Sequence, residues 1–191
     1  MTTTRPTALL LTLTAGLVVF AACGEPFGLP EARYSNRVDT VTLYALHGTP
    51  PRTPSGYFMG LPISQPVLIQ DASLGFDFVF DIDTAGHAVL LPTGAVKFGR
   101  ASGIQISGLA FDSVKIAPDR DYELDSAVVV STGSVALVQS RPATCTFGIA
   151  AFYYGKLEVL AVDDSARTMK FRILVDENCG HRGLEVGVPS R

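Results

Sequence analysis

The chain has 191 residues, with 15 Lys and Arg against 18 Asp and Glu, a formal charge of −3, and 47% hydrophobic residues. That length fits one domain with a sizeable core. A slightly acidic chain with no basic run excludes a nucleic-acid-binding module.

The first segment carries one charge, Arg5, and then an apolar run from Ala8 to Phe20. Even extended to Ala22 the run holds about 15 residues, short of the roughly 20 that cross a bilayer as a helix. Small residues, Ala21 and Ala22, come next and lead into Cys23. A positive start, a short apolar middle and small residues before a processing point is the organisation of a secretory signal. Phe20-Ala21-Ala22-Cys23 resembles the lipobox of bacterial lipoproteins, a resemblance confined to about the first 24 residues. It implies removal of residues 1–22, acylation of Cys23, and anchoring of the mature chain in the bacterial cell envelope outside the cytoplasm. Gly24, rather than Asp, implies sorting to an outer membrane where the cell has one. Several acyl chains give stable anchoring, since each buried CH₂ contributes about 0.8 kcal/mol.

Residues 23–36 contain Pro26, Pro30 and two glycines and read as a tether. The remainder, 37–191, reads as a single all-β domain. In Arg37–Leu46, Val38, Thr40, Thr42, Tyr44 and Leu46 fall on one side, a strand pattern. His47–Pro66 carries Pro50, Pro51, Pro54, Pro62 and Pro66 and reads as a loop, with Tyr57-Phe58-Met59 a short strand or a tip within it. Val67–Gln70 is a brief strand. Phe76–Asp83 is the clearest strand: Phe76, Phe78, Phe80 and Ile82 occupy one face, expected to be core, and Asp77, Val79, Asp81 and Asp83 the other, expected to be mostly wet. Thr84-Ala85-Gly86 turns the chain, and His87–Leu91 returns as a hairpin.

Further strands are expected at 95–98, 103–106, 113–116, 127–131, 135–139, 147–153, 156–162, 168–175 and 184–188. Thr132-Gly133 is expected to close a two-residue hairpin, and Asp163 to Arg167 a second one. No window after the leader has a helical period. Short strands punctuated by Gly, Pro and Asp predict an antiparallel β-sandwich, with a closed β-barrel as the alternative.

Cys145 and Cys179 remain after Cys23, and an even pair in an oxidising compartment favours a disulfide. Closing a loop of about 35 residues would stabilise the fold by about 4 kcal/mol on the chain-entropy model. Cys179-Gly180-His181 also offers S and N ligands, but a structural zinc site wants four ligands in paired short spacings.

Asp83-Thr84-Ala85-Gly86 is similar in outline to the strand leading into Asp-Thr-Gly of aspartic proteases. That chemistry needs a second carboxylate to share a proton; no second motif occurs, and Ala85 stands where the family has glycine. Read from Asp81 as an EF-hand loop, glycine at the sixth position is right, but Ala85 at the fifth and Pro92 at the twelfth are wrong. Asp77, Asp81 and Asp83 share a strand face as an irregular cation site, or as a solvated outer face. His47, His87 and His181 lie in no catalytic signature, and no pattern calls for a cofactor.

Tyr57-Phe58 and Tyr153-Tyr154 each place neighbouring aromatics on opposite strand faces, so one of each pair is available to stack on a sugar or dock a protein. The resulting expectation is a lipid-anchored, non-catalytic β-sandwich that binds an envelope protein or glycan or serves a structural role. The alternatives are a barrel that carries a hydrophobic ligand behind the Phe76/Phe78/Phe80/Ile82 face, and a hydrolase built on Asp83.

Overall fold

The computed structural model describes residues 29–70, 75–145 and 148–189; the leader, Cys23 and residues 24–28 lie outside the described residues. Twelve strands form in chain order: β1 (Val38–Tyr44), β2 (Gly56–Phe58), β3 (Gln65–Val67), β4 (Phe78–Ile82), β5 (Ala88–Pro92), β6 (Gly103–Ser107), β7 (Val128–Val129), β8 (Val135–Gln139), β9 (Ala143–Thr144), β10 (Ala150–Ala151), β11 (Tyr154–Asp163) and β12 (Thr168–Asp176). A 3-10 turn, Phe111–Ser113, sits between β6 and β7.

Two five-stranded sheets result. One runs β1-β12-β11-β8-β6, the other β3-β2-β4-β5-β7, and β9 and β10 form a separate pair. Every named pairing is antiparallel. Neither sheet closes on itself, so the fold is a sandwich and not the barrel alternative. Between the sheets, Phe78, Phe80 and Leu90 of the second meet Leu43, Leu157, Val159, Phe171 and Ile173 of the first, all but fully buried. The apolar face of β4 is therefore packed against side chains rather than lining a cavity, which removes the structural basis of a carrier. On β1 the buried position is Leu43, with Val41 packed beside it and buried Ala45 just past the strand; Val38, Thr40 and Thr42 face outward.

Two of the three expected hairpins are present. β4 pairs with β5 from Phe78↔Pro92 to Ile82↔Ala88. β11 pairs with β12 through a register shift between Val159 and Ala161, and the Asp163 carboxylate closes their turn by accepting from Ala166 N at 2.8 Å and Ser165 Oγ at 2.8 Å.

Other expectations are corrected. The far face of β4 is not wet: Asp77, Val79 and Asp81 are all buried, because Phe58 of β2 and Leu46, Ile69 and Val96 outside the strands cover it. A bend at Asp77 puts Phe76 into that outer cluster, its ring 5.4 Å from that of Phe98. The turn at Ser131–Ser134 forms, but it does not close a hairpin. β7 joins the second sheet and β8 the first, so the turn carries the chain across the sandwich. Residues 95–98 are turns, and residues 184–188 make only a bridge from Gly187 to Asn36. The expected strand 147–153 reduces to β10, Phe147 lying outside the described residues.

The outer face of the first sheet has its own cover. Phe111, Val114, Ala117 and Leu184 lie over Val135, Leu137, Tyr154 and Leu174. Lys156 rises into this layer from β11, buried to 3% exposure, and its Nζ donates to the carbonyls of Phe111 and Val114 at 2.8 Å each. The ammonium also stands 4.5 Å from the centre of the Phe111 ring. The Arg172 guanidinium stacks on the same ring at 4.2 Å and is itself held by Glu158, 2.5 Å away.

Candidate functional site

The segment that reads as a tether is, from Leu29 onward, laced to the chain that follows β12. Asn178 is central. Its backbone N and its Nδ2 donate to Asp176 Oδ1 at 2.9 and 2.8 Å, which fixes the amide. Its Oδ1 then accepts from Arg33 N at 2.7 Å and Tyr34 N at 2.8 Å, while Nδ2 donates to the Tyr34 carbonyl at 2.9 Å. The side chain thus uses both acceptor sites and both amide hydrogens. His181 Nε2 lies 2.8 Å from the Pro30 carbonyl, which can only accept, so that nitrogen carries the proton. Buried Asn36 exchanges both backbone hydrogen bonds with Gly187, and its Nδ2 donates to the carbonyls of Gly183 and Glu185. Gly180 has φ +84°, and the Leu29 side chain sits where a β-carbon would project, so glycine meets two demands there.

The sulfurs of Cys145 and Cys179 are at bonding distance, with Cα atoms 5.8 Å apart, inside the usual range for a disulfide. The sulfurs bond each other and His181 bonds Pro30, so Cys179-Gly180-His181 supplies no metal ligands. Beside the disulfide lies an open groove of about 450 Å³. Its walls include Glu31, Arg33, Tyr34, Tyr153 and Glu177. It offers charges of both signs and phenol rings, a surface for polar contacts without a nucleophile and base in register. Burial pushes the Asp176 carboxyl, just behind it, above the usual range.

The three aspartates do not converge. Asp77 accepts from Met59 N at 2.6 Å, Arg141 N at 2.8 Å and Arg141 Nε at 3.2 Å. Asp81 holds His47 Nδ1 at 2.6 Å and accepts from the amides of His47 and Ile82. Asp83 caps its own turn, accepting from Ala85 N and His87 N at 2.8 Å, with His87 Nδ1 at 3.2 Å. Among the described residues no group of three His, Cys, Asp or Glu side chains is placed to hold a metal ion. The His87 backbone N–H, above all, holds the Asp83 carboxyl below its ordinary value. In a proton-sharing pair one carboxyl is raised and the other lowered, so it is the hydrogen bonds, all from its own turn, that mark Asp83 as a turn cap. His47 and His87 both present Nε2 to solvent, and among the described residues no hydroxyl or thiol is hydrogen-bonded to either ring.

The aromatic candidates are corrected as well. Tyr57 is a core residue, stacked on Phe78 with centroids 5.4 Å apart and edge-on to Phe171 at 6.1 Å. Phe58 is half-buried in the outer cluster over β4. Tyr154 lies under the cover of the first sheet, between Tyr122 and Phe152. Tyr153 is buried too, and only one side of it reaches the groove. None of the four stands free to stack on a ligand from solvent.

Asn178 and Asn36, and the tie that His181 makes to Pro30, escaped sequence reasoning because their partners lie about 150 residues away and their local context is ordinary. The fold and site define a β-sandwich whose segments 29–36 and 178–187 are fastened together beside a disulfide. No protein-family model matches the chain, and no curated protein is significantly similar to it.

Proposed function

We propose that the protein is a bacterial lipoprotein, exported, cut before Cys23 and anchored through acyl chains on that residue, whose β-sandwich is a non-catalytic binding or structural module of the cell envelope. The observation that carries this reading is the order Arg5, apolar run, Phe20-Ala21-Ala22-Cys23. The Cys145–Cys179 pair supports it, because structural disulfides persist in oxidising compartments. The lacing of Leu29–Asn36 supports a short leash: five residues lie between Cys23 and Leu29, a reach of at most roughly 20 Å. The domain would then ride close to the bilayer, with the groove beside the disulfide near its anchored end. Among the described residues no nucleophile with a base in register argues for an enzyme.

The test is the mass of the mature chain, expressed at full length in a bacterium that processes lipoproteins. The expected N-terminus is Cys23 carrying acyl chains, and the protein partitions into detergent. Cys23→Ser abolishes both the added mass and the partitioning. Recovery of the native chain with residues 1–22 attached, or with an unmodified Cys23, refutes the proposal.

A further inference from the structure

The connection from β2 to β3, residues 59–64, holds three apolar side chains in a row out in solvent. Leu61 is 40% exposed and Ile63 49%, and Pro62 between them is exposed too. The loop is fixed at both of its ends. Met59 N donates to Asp77 Oδ2 at 2.6 Å, Gly60 N to Ser64 Oγ at 3.1 Å, and Ser64 N to Glu177 Oε1 at 3.2 Å. A β-carbon at Gly60 would stand 3.0 Å from the Tyr153 ring, so the base of the loop is packed as well as bonded. Single exposed apolar side chains are ordinary; a run of them on a pinned tip asks for a partner.

The tip stands at the end of the molecule from which the chain departs toward Cys23. Leu61 lines the groove beside the disulfide together with Pro30 and Tyr34, and Ile63 lines a smaller cleft with Ser35 and Arg37; Glu177 belongs to both. Tyr34 is itself 48% exposed. Other exposed apolar residues lie far from this end. Leu109 and Leu160 follow Ser107 and Glu158, which pair with Val135 at the opposite end of the ladder from Gly103, Gln139 and Tyr154.

We propose that the Leu61-Pro62-Ile63 tip, with Tyr34 beside it, enters the boundary between headgroups and acyl chains of the bilayer that holds Cys23. This rests on the lipid anchor proposed above and adds which end of the sandwich meets the lipid. The leash selects this occupant. Five residues lie between Cys23 and Leu29, so an acylated Cys23 keeps this end of the domain within roughly 20 Å of the membrane. On so short a tether the tip meets lipid at an effective concentration on the order of millimolar, so a few side chains suffice that would not hold a free protein. Leu and Ile gain by leaving water for the acyl boundary, and a Tyr ring settles at headgroup level. The charges around the tip are mixed, Arg33 and Arg37 against Glu31, Asp39 and Glu177. The contact is therefore apolar and needs no anionic lipid.

The chain has no Trp, so a single introduced Trp reports its own surroundings. The full chain, expressed in a bacterium that processes lipoproteins, is reconstituted into phosphatidylcholine vesicles with and without bromine on the acyl chains, and flotation separates bound protein from free. Leu61→Trp and Ile63→Trp change exposed positions and displace no core neighbour. Both are expected to emit to the blue of Leu109→Trp and to lose emission in brominated vesicles, at low and at high salt. Leu109→Trp, exposed at the far end, is expected to keep its emission. A chain that floats with both tip reporters unquenched, or with Leu109→Trp quenched equally, overturns this inference and leaves the anchor standing. Blue-shifted tip emission without quenching assigns the tip to another protein and overturns the bilayer contact. A chain that does not float overturns the anchor and this contact together.

Discussion

Lys156→Met tests what fastens the outer cover to the first sheet. The substitution keeps the length and packing of the side chain and removes the ammonium. Two hydrogen bonds from a charged donor are lost, to Phe111 O and Val114 O at 2.8 Å, interactions that contribute about 1.5–3 kcal/mol each. Phe111 O keeps the turn bond from Val114 N at 3.4 Å; Val114 O is left buried and unpaired, which costs about 1–3 kcal/mol. The contact with the Phe111 ring is also lost, about 1–2 kcal/mol when desolvated. Against this stands relief of the several kcal/mol needed to bury an ammonium. The balance predicts a loss of about 2 kcal/mol, read as a lower denaturant midpoint at unchanged slope. Burial holds the Lys156 pKa below its ordinary value. The folded state therefore carries a penalty for the charged form, and stability rises as pH climbs through the lowered pKa, levelling above the ordinary value of about 10.4. The gap between wild type and Lys156→Met widens over that window. A variant as stable as wild type at neutral pH would show that desolvation outweighs the hydrogen bonds and refute this account of the cover.

Replacing Cys145 and Cys179 with Ser together is expected to lower stability by about 4 kcal/mol, from the 34-residue separation of the bonded pair; chemical denaturation of oxidised wild type against the double variant measures it. Asp77→Ala leaves the Met59 amide and Arg141 without their acceptor and is expected to cost about 3–5 kcal/mol, seen as a fall in melting temperature, with Asp77→Asn intermediate. Asn178→Ala is expected to speed hydrogen exchange at Arg33 and Tyr34 while Phe80 and Phe171 amides keep their protection; uniform loss across the chain would show that the N-terminal lacing is part of the cooperative core. For Asp83→Asn, the wild-type contribution of the turn is present above the ordinary carboxyl value and lost as pH falls through the lowered one, so the two proteins converge in stability only below about pH 3.9.

The parts of this fold that a reader of the sequence could see are those closed by neighbours. The β4–β5 and β11–β12 hairpins announce themselves through period-two apolar residues around Asp- and Gly-bearing turns, because pairing partners and turn chemistry lie within one short window. Ser131–Ser134 has the same turn chemistry, yet its flanking strands enter different sheets; a turn fixes a reversal, not the sheet that receives it. Asp77 and Asp81 read as wet because carboxylates usually are. They are buried because Met59, Arg141, His47 and Arg167 reach them from 18 to 86 residues away, and no local pattern carries that information. Tyr57 and Tyr154 look available in a Pro-rich loop and before a glycine; the strand residues Phe78 and Phe171 that bury the first, and the cover with Tyr122 and Phe152 that buries the second, are not signalled in their local sequence. The site beside the disulfide was half legible: the cysteines named its covalent bond, but the asparagines that bind the N-terminal segment gave no signal.

The fastening of Leu29–Asn36 to residues 178–187 also decides how mechanical load enters the molecule. A pull applied ahead of Leu29 meets the contacts at Pro30, Arg33, Tyr34 and Asn36 before any tension reaches β1. What those contacts receive passes at Cys179 into a covalent bond and on to Cys145 beside β9. Traction on the chain is thus diverted around the long edge strand, whose hydrogen bonds to β12 bear force only after the terminal fastening has torn.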